Sequence, residues 1–351
     1  MSYIRLNHIT KRFGNVIAVN DLNLEIGKGE CFSMLGPSGC GKTTTLRMVA
    51  GFEDIDEGEI WVGDRLMSSS KTNFYLPPEK RDFGMVFQAF AVWPHLTVYE
   101  NVAFPLRLRK LPDSEIQQRT TDALKHTNLY SVADQSPIDL SGGGKQRVAL
   151  ARALAINPDV MLLDEPLSSL DPHLREEMRF EIKELQKKFE FSIIYVTHDQ
   201  AEAMALSDRI LVMRGGVVEQ IDTPLNIYNN PANKFVFSFI GLSNFLKVQK
   251  QGDKIYPVGS EHALTMAVPD ATFANTQEAT LASRPAEIDF SDDGELYGVV
   301  KRRTYLGEIT DYAITVGDQE LRVQKNSRKP GPKLGENCRL KLLRPHWYSA
   351  E

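Results

Sequence analysis

The run Gly36-Pro37-Ser38-Gly39-Cys40-Gly41-Lys42-Thr43-Thr44 has the spacing G-x-x-x-x-G-K-[ST], and the apolar residues 30–35 before it read as the strand that feeds such a loop. Few patterns constrain a chain so tightly. Glycines let the backbone curl until successive N–H groups point inward at phosphate oxygens, with Lys42 reaching the β- and γ-phosphates and the Thr43 hydroxyl on Mg²⁺. A helix beginning near Lys42 adds its positive end to the same anion site. A chance glycine turn would need strand, spacing and hydroxyl to coincide, so the loop points to a bound nucleoside triphosphate.

A length of 351 residues suits two domains, each able to bury its own core. The charged fraction of 25% and net charge of −5 give no global basic field, so nucleic acid is not expected as a partner. Three cysteines, Cys31, Cys40 and Cys338, are too few and odd in number for a disulfide framework, which suggests a reducing compartment. No apolar run approaches the ~18 residues of a membrane helix, and the first residues lack a secretory pattern. The expectation is a protein that is cytosolic, or held at a membrane only through another protein.

Up to about residue 240, short apolar strands alternate with amphipathic helical stretches, the pattern of an α/β domain with a largely parallel sheet. Residues 160–163 and 192–196 are its plainest buried strands. Between about 90 and 158 the β signal fades. Pro112-Asp113-Ser114-Glu115-Ile116 opens a capped helix, and a second helix after Ser141 carries Val148, Leu150, Ala151 and Leu154. Residues 68–73 read as a surface loop. After Gly241 the texture changes to alternating strands separated by turn residues such as Gly317-Asp318, which predicts a small β-barrel or sandwich.

The strand 160–163 ends in Asp164 and Glu165, so both acids emerge at the carboxyl edge of a sheet, where open α/β folds bind ligands. Asp164 suits Mg²⁺, and Glu165 suits polarising an attacking water. Leu140-Ser141-Gly142-Gly143-Gly144-Lys145-Gln146-Arg147 opens a helix with Ser141 as N-cap, a second anion site or else a flexible glycine turn. This segment, with the run 147–154 behind it, resembles the signature loop of ATP-binding cassette (ABC) proteins. Gly144 stands where that family has glutamine, which bears on the stiffness of the loop.

The resemblance covers about two-thirds of the chain and implies further assignments. Gln88 matches the glutamine that touches Mg²⁺ and the attacking water. Asp171, in Ser168-Ser169-Leu170-Asp171, matches the loop that crosses the dimer interface, and it also reads as a helix cap before Pro172. His198 matches the switch histidine at the γ-phosphate, and Phe13 the aromatic that stacks on adenine, although a lone phenylalanine also reads as core. The implied fold is an α/β P-loop NTPase, the ABC cassette, over 1–240 with an inserted helical subdomain. A small all-β, OB-like accessory or regulatory domain follows over 241–351.

The resemblance implies an ATPase that works as a head-to-tail homodimer, with ATP and Mg²⁺ between the phosphate loop and acids of one copy and Ser141, Gly142 and Gly143 of the other. It would power solute import from the cytoplasmic face of the cell membrane, as a peripheral subunit bound to transmembrane permease subunits and served indirectly by an extracytoplasmic solute-binding protein. Residues 88–101 resemble the region of importer cassettes that docks a helix of the permease. The short tail favours ferric iron, a polyamine, a phosphonate or another small charged solute. The alternative is a soluble ABC ATPase acting on nucleic acid or the ribosome; the coiled coil or second cassette of such proteins is not seen here.

Overall fold

The computed structural model describes residues 2–273 and 276–349. Contacts divide the chain into two compact units, Met1–Ala232 and Asn233–Glu351.

The first unit contains two sheets. Strands β1 (Ser2–Phe13), β2 (Val16–Gly27), β4 (Glu57–Val62), β5 (Arg65–Ser69) and β6 (Phe74–Tyr75) form an antiparallel sheet of order β2-β1-β4-β5-β6. Strands β3 (Cys31–Leu35), β7 (Gly84–Val86), β8 (Val160–Asp164), β9 (Ser192–Thr197), β10 (Arg209–Arg214) and β11 (Val217–Asp222) form the second, in the order β11-β10-β3-β9-β8-β7. Its pairings are parallel except for the β10–β11 hairpin.

The central strands are covered on both faces, which is why they read as unbroken apolar runs. Their side chains alternate: Val160, Leu162, Ile194 and Val196 join Ile4, Leu6 and Ile9 of the antiparallel sheet in one core. Met161, Leu163, Ile193 and Tyr195 join a second core that includes Met178, Ile182 and Leu185. The second sheet bears out the expected largely parallel sheet; the antiparallel sheet was not anticipated. Its signal was the period-2 burial of Leu22, Leu24 and Ile26 between exposed polar residues, the pattern of a sheet with one wet face. Ser68 and Ser69 are also buried strand residues rather than surface loop, because their hydroxyls are bonded to Arg81 and Glu59.

Among the described residues, the α-helices that accompany these sheets are α1 (Lys42–Ala50), α2 (Val98–Leu108), α3 (Asp113–His126), α4 (Gly142–Ala155), α5 (Pro172–Phe189), α6 (Gln200–Leu206) and α7 (Pro224–Asn229). Helices α2, α3 and α4 lie between β7 and β8 in sequence and close a core of their own around Val102, Leu106, Leu124 and Val148. A Thr97–Glu100 capping box starts α2. The start of α3 has no side-chain cap; Asp113 and Glu115 in its first turn complement the helix dipole instead.

The second unit opens with α8 (Lys234–Phe239) and continues as β12 (Asn244–Gln251), β13 (Lys254–Pro257), β14 (Glu278–Ser283), β15 (Ile288–Phe290), β16 (Leu296–Tyr305), β17 (Ile309–Val316), β18 (Gln319–Asn326), β19 (Asn337–Leu342) and β20 (His346–Ser349). Two antiparallel sheets result, β13-β12-β14-β20 and β15-β19-β16-β17-β18, enclosing Leu246, Leu281, Val300, Ile314 and Leu340. Helix α8 belongs to this unit, which sets the division several residues before the expected 240/241. The reason is Arg284, 2% exposed, whose guanidinium donates to the carbonyls of Phe237 and Ile240 and lies 3.9 Å from the Phe237 ring centroid.

Candidate functional site

The phosphate loop spans the end of β3 and the start of α1. Gly36 is required by close approach, since a Cβ there would lie 2.2 Å from the Met213 carbonyl oxygen. Gly41 holds φ 106°, in the left-handed region, and a Cβ would meet the Ala18 oxygen at 2.4 Å. Lys42 is 5% exposed, and its ammonium donates to the Gly36 and Pro37 carbonyls at 2.7 and 3.0 Å. The cation is therefore held in the curve of the loop. Cys40 is a buried small residue beneath it, while Pro37, Ser38 and Gly39 are exposed at its crest and Thr44 is half-buried behind.

The two acids follow at the end of β8. The Thr43 hydroxyl donates to Asp164 Oδ1 at 3.2 Å, joining the loop to the first acid. Burial pushes the Asp164 carboxyl above its usual range, the Thr43 bond opposes this, and neighbouring Glu165 adds to it. A hydroxyl and a carboxylate, both hard oxygen donors, fit Mg²⁺. Glu165 takes φ 46°, rare for a residue with a Cβ, and its N–H donates to Val196 O at 2.9 Å. At one of its oxygens, Oε2, Gln88 Nε2 arrives at 3.3 Å and His198 Nδ1 at 3.2 Å. Gln88 follows β7, Glu165 follows β8 and His198 follows β9, so three consecutive neighbours in the sheet deliver one side chain each to one point.

Phe13 is 48% exposed at the end of β1, with the Lys11 ammonium 5.3 Å from its ring centroid; it is a surface platform rather than core. Ser141 caps α4 by accepting from the Gly144 N–H at 3.3 Å, a bond that stays within the loop. Gly142 and Gly143 lie against Leu170 and Leu174, so close that a Cβ on Gly143 would come within 2.7 Å of Leu174. Asp171 caps α5, accepting from Leu174 N at 3.1 Å. The structure thus gathers Lys42, Thr43, Asp164, Glu165, Gln88 and His198 into one cluster, and puts Ser141 and Asp171 at helix starts elsewhere.

Phe87, next to Gln88 in sequence, lines a groove of about 350 Å³ together with Ala91, Trp93, Phe104 and Leu108. Trp93 packs on Phe104 with centroids 4.4 Å apart, and the Arg152 guanidinium lies 4.6 Å from the Trp93 centroid. Within residues 88–101, Val98 and Asn101 are fully buried and structural.

Sequence reasoning missed Arg175, Asp199 and Glu202, which surround the peptide of His198. The signal was present as Asp199-x-x-Glu202, the spacing of a helix start, immediately after the histidine.

Residues 19–168 match the ABC transporter family model, and residues 281–348 match the TOBE domain. The spermidine/putrescine import ATP-binding protein of Rubrobacter xylanophilus is 44% identical over 322 residues, 90% of this chain and 84% of that one. The osmoprotective compounds uptake ATP-binding protein of Synechocystis sp. is 44% identical over 82% of this chain and 78% of its own length. The trehalose/maltose import ATP-binding protein of Thermococcus litoralis is 50% identical over 69% of this chain, and the match spans 65% of that protein. Among solved structures, a dimeric post-hydrolysis ATP-binding cassette bound to ADP and Pi aligns with TM-score 0.55 at 34% identity, covering 63% of this chain and 98% of that one. A cassette of an ABC transporter complex from Clostridium perfringens aligns with TM-score 0.59 at 30% identity, over 65% and 91% of the two chains. With this loop, these acids and relatives that extend over nine-tenths of its length, the chain belongs to the ABC transporter family, among the ATP-binding subunits of import systems.

Proposed function

We propose that the chain hydrolyses ATP as one half of a head-to-tail homodimer and so drives import of a small charged solute through separate transmembrane subunits. The observation that carries this reading is the meeting of Gln88 and His198 at Glu165 Oε2, one residue from an acid bonded to the phosphate loop. Lys42 and the loop amides hold the phosphates, and Phe13 offers a face to adenine. Thr43 and Asp164, with Gln88, would hold Mg²⁺, which supplies charge neutralisation on the phosphates when bound. Glu165 polarises a water whose oxygen attacks the γ-phosphorus; the bond to the bridging oxygen breaks, and ADP and inorganic phosphate leave. His198 and Gln88 fix the Glu165 carboxylate and the water, so the protein's contribution is positioning and electrostatics.

Ser141 does not join this cluster within its own chain, and the N-terminus of α4 points to an anion supplied from elsewhere: the nucleotide of the second copy. One of the neighbouring solved cassettes, the post-hydrolysis form bound to ADP and Pi, is dimeric, which supports this. Asp171 would then lie near the dimer seam while also capping α5. The apolar groove at Trp93 and Phe104 is the surface for a helix of the transmembrane partner, on the cytoplasmic face. No described helix is long and apolar enough to cross a membrane. Relatives aligned over about nine-tenths of the chain are named for spermidine and putrescine, which supports a small cationic solute, while one aligned over 82% is named for osmoprotective compounds.

The test is a mixed dimer. One chain carrying Ser141→Arg paired with one carrying Lys42→Ala concentrates both defects at one composite site and leaves the other intact. Both changes in one chain damage both sites. The first arrangement retains hydrolysis and the second loses it; equal activities at matched composition refute head-to-tail pairing.

A further inference from the structure

The loop Ser168-Ser169-Leu170-Asp171 and the peptide of His198 follow adjacent strands, β8 and β9, and one side chain joins them. Arg175, in the first turn of α5, donates from Nη2 to the Leu170 carbonyl at 3.1 Å and from Nη1 to Asp199 Oδ2 at 3.1 Å. Its Nε lies 3.7 Å from Glu202 Oε1. The other oxygen of Asp199 is taken up by the N-terminus of α6, accepting from Ala201 N at 2.8 Å and Glu202 N at 3.1 Å.

The other oxygen of Glu202, Oε2, accepts from Tyr195 Oη at 2.8 Å and Thr197 Oγ1 at 2.7 Å, and Thr197 Oγ1 in turn accepts from Asp199 N at 2.9 Å. His198 is therefore bracketed: Thr197 on one side and Asp199 on the other are both fixed by groups that converge on Arg175. Glu202 is 2% exposed, so this carboxylate depends on the guanidinium and the two hydroxyls for its charge. The network also has slack. Arg175 Nε is buried without a hydrogen bond, and an approach of roughly 0.7 Å between α5 and α6 would bring it into bonding range of Glu202.

We propose that Arg175 is a positioning residue for ATP hydrolysis, holding the His198 peptide at a set distance from the 168–171 loop so that movement of the loop displaces the imidazole relative to Glu165. This rests on the roles given above to Glu165 and His198. A purely structural arginine would do no more than neutralise the buried Glu202. The two roles separate because a lysine keeps the charge yet, as one compact ammonium, cannot span the Leu170 carbonyl and Asp199 while lying against Glu202.

The experiment compares full-length wild type with Arg175→Lys, the charge-balanced pair Arg175→Gln/Glu202→Gln, His198→Ala, and His198→Ala with Arg175→Lys added. Thermal stability, affinity for a fluorescent ATP analogue, KM and kcat are read for each. Positioning predicts that Arg175→Lys and the charge-balanced pair melt within a few degrees of wild type and bind nucleotide normally, while kcat falls ~10–100-fold at unchanged KM. Adding Arg175→Lys to His198→Ala costs less than about 2-fold more, because the effect passes through the histidine. Wild-type kcat in Arg175→Lys overturns the proposal, as does a full additional loss in the His198→Ala background. Glu165→Gln measured in parallel separates the layers. If it is inactive while the Arg175 variants turn over normally, this inference alone fails; if it is active, the site reading fails and takes the inference with it.

Discussion

Replacing Arg81 by methionine should unfasten the phosphate-loop helix without touching the nucleotide site. Arg81 is 1% exposed and donates to the carbonyls of Met48 at 2.8 Å and Val49 at 2.7 Å in the last turn of α1. It also donates to Leu76 O at 2.7 Å, Met67 O at 3.3 Å and Ser68 Oγ at 2.8 Å, which ties that turn to the antiparallel sheet. Gly51, after α1, is glycine for the same reason: its φ is 83°, and a Cβ there would lie 2.6 Å from Arg81 Nε. No carboxylate pairs with this cation among the described residues, and burial brings its pKa down to about 10, so it remains charged at neutral pH.

Methionine keeps the aliphatic stem but removes a donor from five acceptors; Met48 O and Met67 O keep the Gly51 and Leu76 N–H groups, and the other three are orphaned at ~1–3 kcal/mol each, while the desolvation cost of the cation, several kcal/mol, is returned. With some acceptors regaining water, the net loss is about 2–4 kcal/mol. At ~2–4 °C per kcal/mol for a unit of this size, melting of the first unit falls by ~4–16 °C. Thermal unfolding of the full-length chain followed by circular dichroism, with and without ATP, reads this directly. A loss below about 1 kcal/mol would refute the claim that Arg81 fastens α1 to the sheet.

The raised pKa of Asp164 carries a sign. Its folded-state proton is held more tightly than in the unfolded chain, so the stability it contributes is present at low pH and is lost as pH rises through the raised value. Mg²⁺ competes with that proton; its apparent affinity in the presence of ATP should therefore weaken on acidification before ordinary aspartates titrate. Calorimetric Mg²⁺ titrations across pH check this, and the same profile in Asp164→Asn would assign the effect elsewhere. We also propose that the first unit folds by itself: a chain ending at Ala232 should bind Mg-ATP. A chain ending at Gly241 should aggregate more, because it retains Phe237, fully buried in the second unit, without Arg284 to hold it. Equal solubility of the two would move the boundary back toward 241.

Most of the candidate cluster was legible because its residues are dictated locally. A loop that must curl around phosphate requires glycines at fixed spacing, and acids that must reach a ligand lie at the end of an apolar strand. Gln88 and His198 were legible only through the family resemblance, since a lone glutamine or histidine after a strand carries no spacing of its own. The antiparallel sheet escaped because a strand covered on both faces stands out as an apolar run such as 160–163, whereas Leu22, Leu24 and Ile26 alternate with charged and polar residues. The position of α8 escaped because its partner, Arg284, lies more than forty residues away in sequence. Arg175 escaped for a similar reason: a charge on a helix reads as solvated until the carboxylate of Glu202 is found buried beneath it.

The most direct measurement of the central claim is ATP turnover by Glu165→Gln in the full-length chain, with nucleotide binding measured alongside. The amide that replaces the carboxylate keeps the shape and the neighbours of Glu165 but cannot draw a proton from water. Steady-state hydrolysis should fall by about 10²–10⁴-fold while ATP affinity is retained, and an ATP-dependent dimer should accumulate. Turnover within a few-fold of wild type would contradict the assignment of Glu165 as the residue that activates the attacking water.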